Sequence, residues 1–142
     1  MLGFQVRLPL FIAALWWGGL VVTGLVVVPM LFANLSTPAV AGAMAARLFS
    51  MLTLLTLVCG LALLALKPEK KPLAPGGWAC GATFLIVIAV LAALTSEFGV
   101  APRIVARVNL AFWHGLGSAL FVLQAGCATC ILWRLGGPAP RG

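Results

Sequence analysis

The sequence contains very few residues that can carry a charge. Among its 142 residues, nine are Lys or Arg, two are Glu, one is His, and Asp is absent. None of the residues from Leu8 to Ala46 ionises. Because 63% of the residues are hydrophobic, the polar side chains are too few to cover a water-soluble globule of this length. We therefore expect lipid to contact most of the outer surface.

The same scarcity excludes several classes of catalytic site. One His and no Asp cannot supply a Ser-His-Asp triad, and the sequence has neither a phosphate-binding glycine loop nor a pair of acids suited to glycoside hydrolysis. A net charge of +7 can indicate nucleic-acid binding, but here the basic residues are scattered between apolar blocks. We expect no nucleic-acid partner and no enzyme chemistry of these soluble-domain kinds.

Four apolar blocks are long enough to cross a bilayer, which requires about 20 residues in helix. Their hydrophobicity is continuous rather than alternating, which favours helices over a closed barrel. We predict an all-α, integral membrane four-helix bundle of two hairpins, forming a single domain over residues 1–142. The predicted spans are 8–32, 43–66, 78–96 and 108–133, with a cytoplasmic loop at 67–77 and a flexible tail at 135–142.

The distribution of positive charge predicts the orientation. On one side of the membrane would lie Arg7, Lys67, Lys70, Lys71, Arg134 and Arg141. On the other side would lie Arg47, Arg103 and Arg107. Short loops rich in Lys and Arg stay in the cytoplasm, so we predict a multi-pass inner-membrane protein with both termini cytoplasmic.

A weak internal repeat relates the odd-numbered spans. The first ends near Val28-Pro29-Met30-Leu31 and the third near Ala101-Pro102-Arg103-Ile104. Proline ends or kinks a helix because it lacks the N–H. The pattern indicates two similar hairpins, although two common helix stops could coincide by chance.

Small residues in the first and fourth spans predict close helix contacts. A stripe on the fourth span starts at His114 and contains several of them, so we expect His114 to face the interior. The predicted packing residues are Gly18, Gly19, Thr23, Gly117, Ser118 and Ala125.

Ionisable residues inside a membrane are costly and therefore suggest function. Glu97 would end the third span, and either Arg47 or Arg103 could neutralise it. We predict a polar cluster in the outer leaflet that consists of Arg47, Glu97, Arg103, Asn109 and His114. The alternative is that these charges are solvated in loops while Arg47 extends to the interface.

Sulfur side chains raise the hypothesis of a metal site, since soft ligands select copper and similar ions. Met30, Met44 and Met51 all fall in the predicted outer half, near His114. Methionine is also an ordinary filler of apolar gaps, which leaves both interpretations open. The Cys127-Ala128-Thr129-Cys130 pair has redox or metal spacing, but cysteine is common in buried positions, and we expect no cysteine ligand.

Five short motifs resemble the bacterial "domain of unknown function 4149" family, which is similar to eukaryotic transmembrane protein 205. They are Trp17-Gly18-Gly19, Val28-Pro29-Met30-Leu31-Phe32, Ala45-Ala46-Arg47-Leu48-Phe49, Pro102-Arg103-Ile104 and His114-Gly115-Leu116-Gly117-Ser118. The resemblance implies a four-helix membrane protein without an established activity, with eukaryotic relatives associated with tolerance to platinum drugs.

A more distant resemblance, to copper-resistance-D-type bundles and membrane protoporphyrinogen oxidases, would make His114 a metal or haem ligand. With one histidine, no bis-histidine haem can form within one protomer. Three hypotheses follow. The protein could bind or transport a soft metal ion, such as copper, or a small solute at the polar cluster. It could instead be a scaffold that packs against itself or a membrane partner through the fourth span. The third hypothesis is a haem-binding redox enzyme.

Overall fold

The computed structural model describes the backbone of residues 2–66 and 78–136, and the side chains of residues 7–66 and 81–136. Within these ranges every regular element is helical. The elements are α1 (Leu2–Val22), π1 (Thr23–Val27), α2 (Val28–Asn34), α3 (Pro38–Ala65), α4 (Trp78–Leu94), π2 (Thr95–Val100), α5 (Ala101–Val105) and α6 (Leu110–Gly136).

These elements form four continuous spans in the described part of the chain. Span 1 joins α1, π1 and α2, span 2 is α3, span 3 joins α4, π2 and α5, and span 4 is α6. The segments long and apolar enough to cross a membrane are Arg7–Asn34, Pro38–Ala65, Gly81–Val105 and Leu110–Gly136. The predicted all-α membrane bundle is therefore confirmed.

The spans form a ring in which each contacts its two neighbours, and span 4 closes the ring against span 1. Neighbouring spans run antiparallel. In spans 1 and 2, Trp16 contacts Thr56, and in spans 3 and 4, Gly81 near the start of one contacts Arg134 near the end of the other. The chain therefore crosses up and down. We call the end with residues 35–37 and 106–109 the short-loop end, and the opposite end the terminal end.

The sequence predicted that Pro29 and Pro102 end or kink their helices, but in the structure neither proline ends its span. Span 3 was expected to stop at Ser96, but its helix continues to Val105. In both spans a π-helical segment precedes the proline. Thr23 O accepts from Val28 N, and Ser96 O accepts from Ala101 N. These wider turns accommodate the proline ring and its missing N–H, so the helix passes through the proline.

The two short connections have well-defined ends. Thr37 caps α3 because its Oγ1 accepts from Val40 N at 3.3 Å, and Pro38 follows in the first helical position. After α5, Arg107 N donates to Ile104 O and Val108 N to Arg103 O, which is the Schellman pattern. Arg107 occupies its left-handed position at φ 56°, where glycine is usual.

Packing is uneven near the short-loop end, where Ala41, Ala45 and Val100 are buried but whole segments of spans 1 and 3 are not. The segments π1, α2 and α5 contain no buried residue. The central core lies deeper and consists of Ala13, Trp16, Leu20, Leu52, Cys59, Leu63, Ile86, Ala89, Cys127, Ala128 and Ile131.

Two sequence predictions fall largely outside this description. The loop predicted at 67–77 lies outside the described residues, as do residues 137–142 of the predicted tail. Residues 135 and 136, assigned to that tail, belong instead to the last turn of α6.

Candidate functional site

The membrane-embedded carboxylate contacts the neighbouring span. Glu97 lies within π2, half-buried, rather than at the end of a helix. The Oγ of Ser50, on α3, lies 2.8 Å from Glu97 Oε1. The π-helical turn places the carboxylate toward span 2, and π-helical turns are frequent at functional sites.

Ser50 has a second possible partner, and the pair can therefore accommodate both protonation states of Glu97. Its Oγ also lies 3.3 Å from the backbone oxygen of Ala46. When Glu97 is ionised, the Ser50 hydroxyl can donate to the carboxylate. When Glu97 is protonated, it can donate to Ser50, whose own proton then turns to Ala46 O.

Polar side chains continue from this pair into the bundle. Ser96, next to Glu97, has a buried Oγ with no hydrogen-bond partner among the described residues. Thr53 and Thr56 follow Ser50 at intervals of three residues on α3 and are both buried, and Gln124 of α6 is 5% exposed. Burying polar groups in an apolar bundle costs free energy. These buried polar side chains are therefore candidates for a functional site.

A hydrogen bond ends this row at the middle of the bundle. Trp16, which is fully buried, donates from Nε1 to Thr56 Oγ1 at 3.0 Å. Nearby, Trp17 Nε1 donates to Thr129 Oγ1 at 2.9 Å. Beyond Thr56 the core becomes apolar, so the indole of Trp16 separates the polar interior from the tightly packed half.

The structure does not assemble the predicted polar cluster as one network. Arg47, Asn109 and His114 are exposed. Arg103 donates to Gly99 O and lies over the Trp113 ring, 4.6 Å from its centroid. In the described part of the chain, neither arginine forms an ion pair with Glu97, and His114 hydrogen-bonds neither to Glu97 nor to Asn109.

The prediction that His114 faces inward is wrong. The buried side chains of α6 are Gln124, Cys127, Ala128 and Ile131, whereas His114 and Ser118 are exposed. The face of α6 that points into the bundle is therefore not the face that the small residues had predicted. A role for His114 in ligand binding stays a prediction, now at the outer surface of the bundle.

The sulfur ligands proposed for a metal lie on the surface. Met30, Met44 and Met51 are 57%, 44% and 64% exposed. Among the described residues, no group of three or more His, Cys, Asp or Glu side chains could hold a metal ion. Cys59 and Cys127 are buried thiols, and Cys130 is exposed.

The predicted packing residues divide into two groups. A Cβ added at Gly19 would lie 2.7 Å from Leu55 Cδ2, and one at Gly117 would lie 3.4 Å from Val100 Cγ1. Gly18 has nothing within 4 Å of that position. Thr23 and Ala125 are half-buried. The tightest contact involves Gly24, where a Cβ would lie 2.5 Å from the Phe121 ring.

Sequence reasoning did not identify Ser50, Thr53, Thr56, Ser96 and Gln124. A signal was present, because the first three recur at intervals of three residues, a spacing that keeps them on neighbouring parts of one helical face. Hydroxyl residues carry no formal charge, and a search for ionisable groups passes over them.

A family model described as "domain of unknown function (DUF4149)" matches residues 11–112. The match contains four of the five resemblance motifs and ends before His114. No curated protein and no solved structure matches the chain, so the resemblance to copper-resistance-D-type bundles stays a prediction. Because the matched region covers 102 of the 142 residues, the chain belongs to the DUF4149 family.

Proposed function

We propose that this membrane protein binds a small cation at Glu97 and that the cation competes there with a proton. The observation that carries the proposal is the half-buried contact of 2.8 Å between Ser50 Oγ and Glu97 Oε1 on adjacent spans. An acid inside an apolar bundle needs a compensating partner. With no arginine paired to it among the described residues, a cation or a proton can fill that role.

The donor atoms favour a hard cation over a soft metal. Ser50 and Glu97 offer hydroxyl and carboxylate oxygens, the ligands preferred by hard cations. The thioethers that would favour copper lie on the outside of the helices. A copper site at His114 remains a competing hypothesis, which metal analysis of the purified protein tests directly.

Charge balance further favours a monovalent ion. Glu97 is the one acid in the described residues, and the chain's other acid, Glu69, falls in the predicted cytoplasmic loop. One carboxylate neutralises one positive charge, and divalent ions usually recruit more acidic ligands. An alkali cation is the inferred ligand.

The distribution of basic residues supports an outer-leaflet position for this site. Glu97 and Ser50 belong to the short-loop half of the bundle, and the predicted topology puts six of the nine basic residues at the opposite end. With both termini in the cytoplasm, solutes would reach Glu97 from outside the cell membrane.

Infrared difference spectroscopy on protein in lipid nanodiscs tests the proposal. Adding sodium or potassium chloride at constant ionic strength, with choline chloride as reference, should shift the infrared bands of the Glu97 carboxyl group, because a bound cation changes the bonding of its oxygens. The band change should vanish in Glu97→Gln and persist in Glu69→Gln, the matched change at the other acid.

Two results would contradict the proposal. One is a wild-type spectrum that neither alkali salt changes. The other is an equal response in Glu97→Gln. Ser50→Ala provides an intermediate test, since losing the hydroxyl should weaken cation affinity severalfold without abolishing the signal.

A partner-binding surface is the second candidate function, favoured by the outer face of α6. Ser118 is exposed there, and Gly115 and Gly126 have open space where a Cβ would project. Small residues allow close approach of another helix. Gly126→Leu should abolish a membrane crosslink if this face binds a second copy, whereas Gly117→Leu would test internal packing against Val100.

A further inference from the structure

We infer that the Glu97 site is a one-sided chamber, which opens at the short-loop end and is closed below by Trp16 and Thr56. This inference rests on the proposed function and deepens it. It names the direction from which an alkali cation enters and the point at which it stops.

The first support is the uneven packing of the bundle. No residue of π1, α2 or α5 is buried, whereas Trp16, Leu20 and Ile131 in the deeper layer are almost completely buried. Segments with few buried contacts open at low free energy. These parts of spans 1 and 3 can therefore move apart while the start of α3, where Ala41 and Ala45 are buried, and the deeper layer stay packed.

The second support is a matched joint in spans 1 and 3. In each, a π-helical segment leads into a proline, at Pro29 and Pro102. Prolines and π-helical turns are the usual sites of sharp helix bending. The joints lie on spans 1 and 3, which are not neighbours in the ring, so bending at both can widen the mouth above Glu97.

The third support is the polar row beneath this mouth. Ser50 and Thr56 are six residue steps apart on α3, about 9 Å along the helix axis, with Thr53 between them. Thr53 and Thr56 are buried, and the unpartnered Ser96 hydroxyl lies next to Glu97 in the chain. Hydroxyl oxygens can coordinate a desolvated cation or carry water toward it.

The floor of the chamber is the hydrogen bond from Trp16 Nε1 to Thr56 Oγ1. Trp16 is fully buried, and Cys59, one turn beyond Thr56, is 3% exposed within the apolar core. A cation that descends from Glu97 meets an indole ring and then an apolar layer. In the inferred arrangement the chamber therefore has one entrance.

Cysteine accessibility tests this inference in the full-length protein. Ser36→Cys, Ser50→Cys, Thr53→Cys and Thr56→Cys are reconstituted in nanodiscs and exposed to a small trimethylammonium methanethiosulfonate. Peptide-resolved mass spectrometry reads each site, so the natural cysteines stay in place. Labelling after denaturation in detergent confirms that every introduced thiol is reactive.

We expect rapid labelling at Ser36→Cys, in the connecting loop, and slower but complete labelling at Ser50→Cys and Thr53→Cys. Thr56→Cys and the natural Cys59 should react at least tenfold more slowly than Thr53→Cys. Adding Pro29→Ala and Pro102→Ala together should slow labelling of Thr53→Cys severalfold and leave Ser36→Cys unchanged.

If Thr56→Cys is labelled as fast as Ser50→Cys, the inference that Trp16 and Thr56 close the chamber is wrong. A Thr53→Cys thiol that stays unlabelled would overturn the chamber, even if the infrared response at Glu97 is intact. Conversely, the labelling gradient can hold while the infrared response fails, in which case the cation proposal alone is wrong.

Discussion

At the scale of single residues, a few close side-chain contacts between different spans stabilise the bundle. The most buried is the Trp16–Thr56 hydrogen bond. Thr56→Val keeps the side-chain shape but leaves the indole N–H without an acceptor, which should lower the free energy of unfolding by about 1–2 kcal/mol. Unfolding titrations in mixed micelles measure the change.

Thr129→Val is the matched control for that substitution. It removes the acceptor of Trp17 Nε1 at an exposed position, where the bond does not hold a fully buried side chain in place, so we expect a smaller loss of stability. A loss of stability as large as that of Thr56→Val would show that burial does not determine the effect.

Glycines of the first span provide a second test at this scale. A Cβ at Gly24 would meet the Phe121 ring at 2.5 Å, and Phe121 is itself held edge-on against Phe49 at 5.5 Å between ring centroids. Gly24→Ala should therefore destabilise the protein by about 1–3 kcal/mol through overpacking. Thermal unfolding in detergent is the measurement.

Gly18→Ala makes the same chemical change in open space. Alanine is the better helix former, so this variant should be neutral or up to about 1 kcal/mol more stable. The sequence gives no means of ranking Gly18, Gly19 and Gly24, because their difference depends on which side chain of another span lies opposite.

At the scale of elements, the sequence predicted the helices but not how they pass through proline. Pro29 and Pro102 were expected to end or kink their spans. Both are preceded by a π-helical segment that adjusts the backbone hydrogen bonds. Such a segment depends on tertiary contacts, including the packing of Val100 against Gly117, and has no sequence signature of its own.

This arrangement predicts an effect of Pro102→Ala. The new N–H can restore a backbone hydrogen bond in span 3, so amide hydrogen exchange around residues 95–105 should slow severalfold. Pro38→Ala is the control, since a first-turn proline lacks an N–H that would be unpaired anyway. Equal slowing in both variants would indicate a general effect of losing proline.

At the scale of the whole molecule, hydropathy determined the number of crossings but not the inward faces. Each span is apolar around its whole circumference, so periodicity does not distinguish lipid-facing from buried positions. The assignment of His114 to the interior failed for this reason. Glu97 was recognised from sequence because it is charged, whereas its partner Ser50 required the helix arrangement.

Orientation is a property of the whole chain, and charge alone predicts it. Six basic residues at the terminal end against three at the short-loop end favour cytoplasmic termini. A C-terminal fluorescent protein should be bright, and a C-terminal alkaline phosphatase inactive. Changing Lys67, Lys70 and Lys71 to Gln equalises the two ends at three charges each, so both reporters should then show intermediate signals. An active phosphatase on the unmodified chain would reverse the orientation and move the Glu97 chamber to the cytoplasmic side, while its cation chemistry would be unchanged.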